Sequence, residues 1–202
     1  IAGELLSYDE YQWQRDSKMK ISYVNRAKGL HLPLYQCRNC KTEFSMDSNG
    51  RRIYCTCCKA GWSMDEYGTL KSEQSNEEIY IPDWYEWQRE NVREQIEQGA
   101  YILDMKVHVE ALPNAKNFID CGEGYLHHDK DGFRLTFNDY ETKSERTLTV
   151  TSKSLFSIHT EYDYRGKGQC ITLSTPDNTY FIYPLEDGFN ATKIQFATEL
   201  FT

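Results

Sequence analysis

Four of the seven cysteines in this chain occupy matching positions of a phrase that occurs twice. Cys37-Arg38-Asn39-Cys40-Lys41 leads to Phe44-Ser45-Met46-Asp47, and Cys55-Thr56-Cys57-Cys58-Lys59 leads to Trp62-Ser63-Met64-Asp65 at the same offset. Two residues between paired cysteines let one tight turn aim both sulfurs at a single ion, and a tetrahedral metal takes four such soft ligands at about 2.3 Å. The pattern therefore predicts two short hairpins related by a pseudo-twofold axis, holding zinc through Cys37, Cys40, Cys55 and Cys58. Cys57 could replace a ligand only by breaking the repeat and is read as a free thiol. Asp47-Ser48-Asn49-Gly50 has hairpin-turn chemistry, with Asn-Gly tolerating positive φ, and would fold one pair over the other.

A closed four-cysteine site leaves no coordination position for water or substrate, so the metal is expected to be structural. Zinc contributes on the order of 10–16 kcal/mol in small peptides of this type, more than a short ribbon gains by burying apolar surface. The ribbon is expected to unfold without it. Cys121 and Cys170 are read as buried, inert thiols. Ligand-type spacing and no signal peptide point to reduced thiols in a cytoplasmic protein rather than a disulfide framework. The chain has no initiator Met and is expected to start within a longer reading frame.

Around these cysteines the elements separate by composition. A lead-in over residues 1–32, with Tyr8, Tyr11, Trp13 and Leu30, shows no clean periodicity. Asp9 to Arg15 could form a short helix whose aromatics need a partner, expected upstream of Ile1. Residues 33–71 are the ribbon. Residues 72–104 carry two basic and nine acidic side chains, so the net charge of −8 is concentrated there. Ser72 to Glu78 reads as a linker. A helix then begins at Pro82-Asp83, with Asp83 as N-cap and Glu86 at the capping-box position, and ends at Gly99. Trp84, Tyr85, Val92 and Ile96 share one face; Glu86, Glu90, Glu94 and Glu97 line a solvated face.

From residue 105 the periodicity switches to two. Alternating runs at 105–111, 123–129, 132–138, 145–151, 154–164, 168–175 and 178–185 predict seven strands, and 190–201 has helical spacing at Ile194, Ala197 and Phe201. The fold class is thus mainly β with helices: a rubredoxin-like zinc ribbon, a connecting helix, then a seven-stranded antiparallel domain over 105–202. Seven such strands and a C-terminal helix resemble a pleckstrin-homology-like barrel.

His127, His128, Asp129 and Asp131, joined by His159, Glu161 and Asp163 on alternate positions of a later strand, could assemble a second site of imidazoles and carboxylates. Ordinary hairpin and exposed-strand usage explains them better. The sequence has no phosphate-binding glycine loop, dinucleotide fingerprint or nucleophile elbow. A nucleic-acid interface would rest on Arg38, Lys41, Arg51, Arg52 and Lys59 alone, so nucleic acid is disfavoured as a partner. No apolar run approaches the roughly 20 residues that span a bilayer.

Several separated strings resemble one family. Leu34-Tyr35-Gln36-Cys37 through Phe44-Ser45-Met46, Ile81-Pro82-Asp83-Trp84-Tyr85-Glu86-Trp87, Leu112-Pro113-Asn114-Ala115-Lys116 and His159-Thr160-Glu161-Tyr162-Asp163-Tyr164 are similar to the long C-terminal extension of some Gram-positive 1-acyl-sn-glycerol-3-phosphate acyltransferase-like proteins. In that family acyl transfer belongs to an upstream domain marked by a His and an Asp separated by four residues. No His here is followed by Asp at that spacing, so no catalytic residue carries over. The resemblance implies a noncatalytic accessory or regulatory module of a phospholipid-synthesis enzyme, at the inner face of the membrane through its parent. Its expected partners are the upstream acyltransferase domain or another protein, with Trp84 and Trp87 as contact residues, and peripheral membrane contact.

Overall fold

A computed structural model describes residues 9–202. Residues 1–8, and with them Tyr8 of the lead-in, lie outside the described part. The protein is a mixed α+β molecule, mostly strands, with three α-helices among the described residues. Two compact units divide between Gln88 and Arg89, and no described helix is long and apolar enough to cross a membrane.

The first unit opens with α1 (Glu10–Asp16), capped by Asp9, whose side chain accepts the Gln12 N–H at 2.9 Å. The partner of Tyr11 is within the chain, whereas Trp13 is exposed. Tyr11 meets Tyr80 edge to face with centroids 6.0 Å apart, Arg15 lies over the same ring, and the Tyr80 hydroxyl donates to Asp9 at 2.6 Å.

Five antiparallel strands follow in a simple meander: β1 (Met46–Asn49), β2 (Arg52–Cys55), β3 (Gly61–Met64), β4 (Leu70–Ser72) and β5 (Glu78–Ile79). Asp47 and Ser48 lie in β1, not in the turn, which Gly50 makes at φ 57° with Arg51. Asn49 pairs with Arg52 across it, so the expected turn is shifted toward the glycine. Ser72 to Glu78, the linker of the sequence reading, is the turn of the hairpin that joins β4 to β5. Ser72 Oγ accepts from the Gln74 and Ser75 N–H groups, and the Ser72 N–H donates to the Glu77 carbonyl.

The core of this unit reaches past the expected ribbon boundaries. Ala27, Leu34, Met46, Ile53, Trp62, Met64, Leu70, Ile79, Ile81 and Trp84 are buried in one cluster. The lead-in is tied to it by Ala27 N–H donating to Gly50 O (2.9 Å) and by Arg26 Nε donating to Met64 O (2.9 Å).

Helix α2 runs Ile81–Glu97, so Asp83 sits inside its first turn rather than at the N-cap. Trp84, Gln88 and Val92, each fully buried, make an i, i+4, i+8 stripe, with Ile96 only partly covered. The glutamates of the opposite face are exposed. Gly99 at φ 66° closes the helix: its N–H reaches Ile96 O, and Ala100 N–H reaches Gln95 O, the αL ending that glycine permits.

The second unit is a curled, seven-stranded antiparallel sheet, a half-barrel. Its strands are β6 (Leu103–Ala111), β7 (Ile119–Asp129), β8 (Gly132–Asn138), β9 (Glu145–Thr151), β10 (His159–Glu161), β11 (Cys170–Ser174) and β12 (Thr179–Pro184). They are ordered β10-β11-β12-β6-β7-β8-β9, so first and last strands pair in the middle and β9 and β10 are the edges. Alternation fills the inner face with Val107, Val109, Leu126, Phe133, Leu135, Phe137, Ile171, Leu173 and Ile182. The run expected as one strand over 154–164 keeps only His159–Glu161, because Phe156 is 86 % exposed and the chain turns at Ser152–Ser154. Helix α3 (Ala191–Leu200), capped by the Asn190 side chain on Lys193 N–H, adds Ala191 and Ile194 to the same core.

Candidate metal centre

The repeat in sequence is a repeat in hydrogen bonding. In the first knuckle Lys41 N–H donates to Cys37 O (2.9 Å) and Cys37 N–H to Thr42 O (3.0 Å); in the second, Lys59 N–H donates to Cys55 O (3.0 Å) and Cys55 N–H to Ala60 O (2.8 Å). Lys41 and Lys59 hold matching positive φ values of 60° and 66°. Each knuckle also folds its own backbone onto its sulfurs. The N–H groups of Asn39 and Cys40 face Cys37 Sγ, and those of Cys57 and Cys58 face Cys55 Sγ.

These turns bring Cys37, Cys40, Cys55 and Cys58 together, with all four Sγ atoms within 4.8 Å of one another. Cys37 to Cys58 and Cys40 to Cys55 are each 3.7 Å apart. A tetrahedron with 2.3 Å metal–sulfur bonds has edges of about 3.8 Å, whereas a disulfide would need about 2.0 Å. All four are free thiols. The donor set therefore fits a metal ion.

Its electrostatics are asymmetric in the same way in both knuckles. Burial pushes the Cys37 and Cys55 thiols up. The outer pair is pulled down: Cys40 to about 6, first by the Thr42 hydroxyl 3.2 Å away, and Cys58 by the Asn39 amide, which donates at 3.4 Å. Each knuckle thus pairs one sulfur whose ionisation its neighbours favour with one buried sulfur that a cation would help to ionise. Cys57 is exposed, points toward Thr42 Oγ1 at 3.9 Å and lies outside the cluster.

Behind the first knuckle stands a buried polar clasp that the sequence did not reveal. Gln88 Oε1 accepts the Gln36 N–H (2.9 Å), Gln88 Nε2 donates to Pro33 O (2.9 Å), Trp84 Nε1 donates to Gln36 O (2.9 Å), and Gln36 Nε2 donates to Lys41 O (3.0 Å). Helix α2 thereby fixes the segment that leads into Cys37. The signal available was position: Gln88 lies one turn from Trp84 and one from Val92 on the buried stripe. Trp84 also packs against Trp62 with centroids 4.8 Å apart. It is therefore a core residue, not a contact residue; Trp87 is half-buried beneath Arg38.

The second constellation is not assembled. His128 is buried, stacks on Phe133 at 3.8 Å and meets the Tyr101 hydroxyl at 2.9 Å, and burial pulls it down to about 3. His127 faces the other side of β7 between Asp104 (2.6 Å) and Asp129 (3.2 Å), and Asp104 above all raises it. His159 bonds Glu161 on edge strand β10, with β11, β12 and β6 between it and β7. Among the described residues, the four cysteines are the one group of three or more His, Cys, Asp or Glu placed to hold a metal. Cys121 and Cys170 are buried, and burial raises both, Cys170 to about 12.

Scanned against protein-family models, curated proteins and solved structures, the chain matches none. Fold and site by themselves define a two-unit α+β protein whose first unit carries a four-cysteine cluster able to hold a metal ion.

Proposed function

We propose that this chain is a noncatalytic accessory or regulatory module built on a structural zinc ion, and that it serves a 1-acyl-sn-glycerol-3-phosphate acyltransferase of phospholipid synthesis. The observation that carries the first part is the closed sulfur cluster. Soft thiolates in tetrahedral array suit zinc, iron being the other common occupant of such a donor set, and four protein ligands leave no position for a reacting water. The matched hydrogen bonds of the two knuckles support a rubredoxin-like ribbon. Seven antiparallel strands with first beside last, followed by one helix, support a pleckstrin-homology-like second domain.

The acyltransferase connection rests on the sequence strings given above. Contact with the parent enzyme or another protein would fall to Trp87 and to the exposed glutamates of α2, since Trp84 is committed to the core. Membrane contact would be peripheral. The nucleic-acid reading loses ground because Arg52 is held by Glu73 at 2.8 Å, and Arg38 lies over the Trp87 ring. Immunoprecipitation of the native protein carrying this chain should bring down acyl transfer to 1-acyl-glycerol-3-phosphate. A precipitate with no more activity than the control would contradict the assignment.

A further inference from the structure

The repeat that gathers the four sulfurs also sets one side chain of each knuckle toward a sulfur of the other. Asn39 in the first knuckle and Cys57 in the second hold the same position, immediately before the second ligand of each pair. Asn39 reaches across to Cys58 and donates its amide to Sγ at 3.4 Å. Cys57 reaches the opposite way. The Thr42 hydroxyl lies 3.9 Å from Cys57 Sγ and 3.2 Å from Cys40 Sγ, so one small group stands between the fifth thiol and a ligand of the other knuckle. Backbone bonds fix this placement. Thr56, next to Cys57, donates both its N–H (2.7 Å) and its hydroxyl (3.0 Å) to Ser45 O, while Cys37 N–H holds Thr42 O at 3.0 Å. Cys57 is exposed and Cys40 partly exposed, whereas Cys37 and Cys55 are buried. Cys58 adjoins Cys57 in sequence, and neighbouring α-carbons stand about 3.8 Å apart, closer than a disulfide ordinarily spans. Cys40 is therefore the ligand within reach of Cys57.

We infer that Cys57 is the sensing thiol of a peroxide-responsive switch that opens the metal centre by forming a disulfide with Cys40. The inference rests on the zinc reading above. The exposed Cys57 sulfur attacks one oxygen of hydrogen peroxide: an S–O bond forms, the O–O bond breaks, the other oxygen leaves as water, and Cys57 becomes a sulfenic acid. The Cys40 thiolate then attacks the Cys57 sulfur, the S–S bond forms, and the S–O bond breaks with loss of hydroxide. Both thiol electrons pass to the peroxide, which is reduced. Three sulfurs then remain of a donor set that needs four, and the closed site opens. A dithiol reductant returns both cysteines to thiols, is itself oxidised to a disulfide, and restores the set.

The test treats the purified chain, its zinc content first measured by elemental analysis, with hydrogen peroxide. Zinc release is followed with a chromogenic chelator, and disulfides are mapped by mass spectrometry of unreduced peptides. The unaltered chain should release its zinc in step with a Cys40–Cys57 disulfide, and dithiothreitol with added zinc should reverse both. Cys57→Ser and Cys57→Ala keep all four ligands and should release zinc about tenfold more slowly or less, since the accessible thiol is gone. A chain isolated without zinc would remove the metal reading and this inference with it. A chain that holds zinc but releases it equally fast from both Cys57 variants, or whose oxidised Cys57 is unbridged or bridged elsewhere, would overturn the switch and leave the metal reading intact.

Discussion

At the scale of single residues, the four sulfurs were legible because metal ligation imposes a spacing that other uses of cysteine do not. Their helpers, Thr42 and Asn39, were not, since a hydroxyl and an amide near a turn have many ordinary uses. Cys37→Ser or Cys58→Ser should each abolish stoichiometric metal in elemental analysis of the purified protein, while Cys57→Ser should retain it, because Cys57 lies outside the cluster. His128 yields a pH prediction. Its folded value of about 3 lies below the ordinary 6.5 because burial disfavours the cation. The unfolded chain therefore binds the proton first, and the contribution of neutral His128 is complete above pH 6.5 and lost progressively as pH falls toward 3. Acid titration of His128→Phe, followed by near-UV circular dichroism, should show a shallower loss of stability in that window. An unchanged pH slope would place the acid sensitivity elsewhere.

At the scale of elements, period two marked the strands of the second unit well because its sheet buries one face against a continuous core. The short strand β5 and its hairpin escaped notice, being polar and only two residues long: Glu78 is exposed, and Ile79 alone is buried. Gln88 escaped because a glutamine on a helix is ordinarily solvated; here it replaces a missing backbone partner of Gln36. Gln88→Ala should strand the Gln36 N–H and the Pro33 carbonyl and cost about 1–3 kcal/mol in denaturant unfolding of the first unit. A loss within a few tenths of a kcal/mol would show that water substitutes for the clasp. Gly132 is the sharper test of the β7–β8 hairpin. It holds φ 114°, and a Cβ there would come within 2.2 Å of the Val150 carbonyl oxygen. Gly132→Ala should lower stability by more than about 1 kcal/mol, since both the backbone conformation and the contact oppose it.

At the scale of the molecule, two units of different construction share one chain. The first draws its core from strands of four residues or fewer and closes around sulfur; the second fills a half-barrel with aliphatic and aromatic side chains. Their dependence on metal should differ accordingly, because ligand binding contributes to the stability only of the unit that holds the site. The most direct measurement is elemental analysis of the purified chain, paired with hydrogen exchange before and after treatment with a strong zinc chelator. One zinc per chain is expected, with chelation erasing amide protection across β1–β5 and leaving β6–β12 protected. A protein without zinc, or one whose β1–β5 amides stay protected after complete metal removal, would contradict the account of this chain as a zinc-built module.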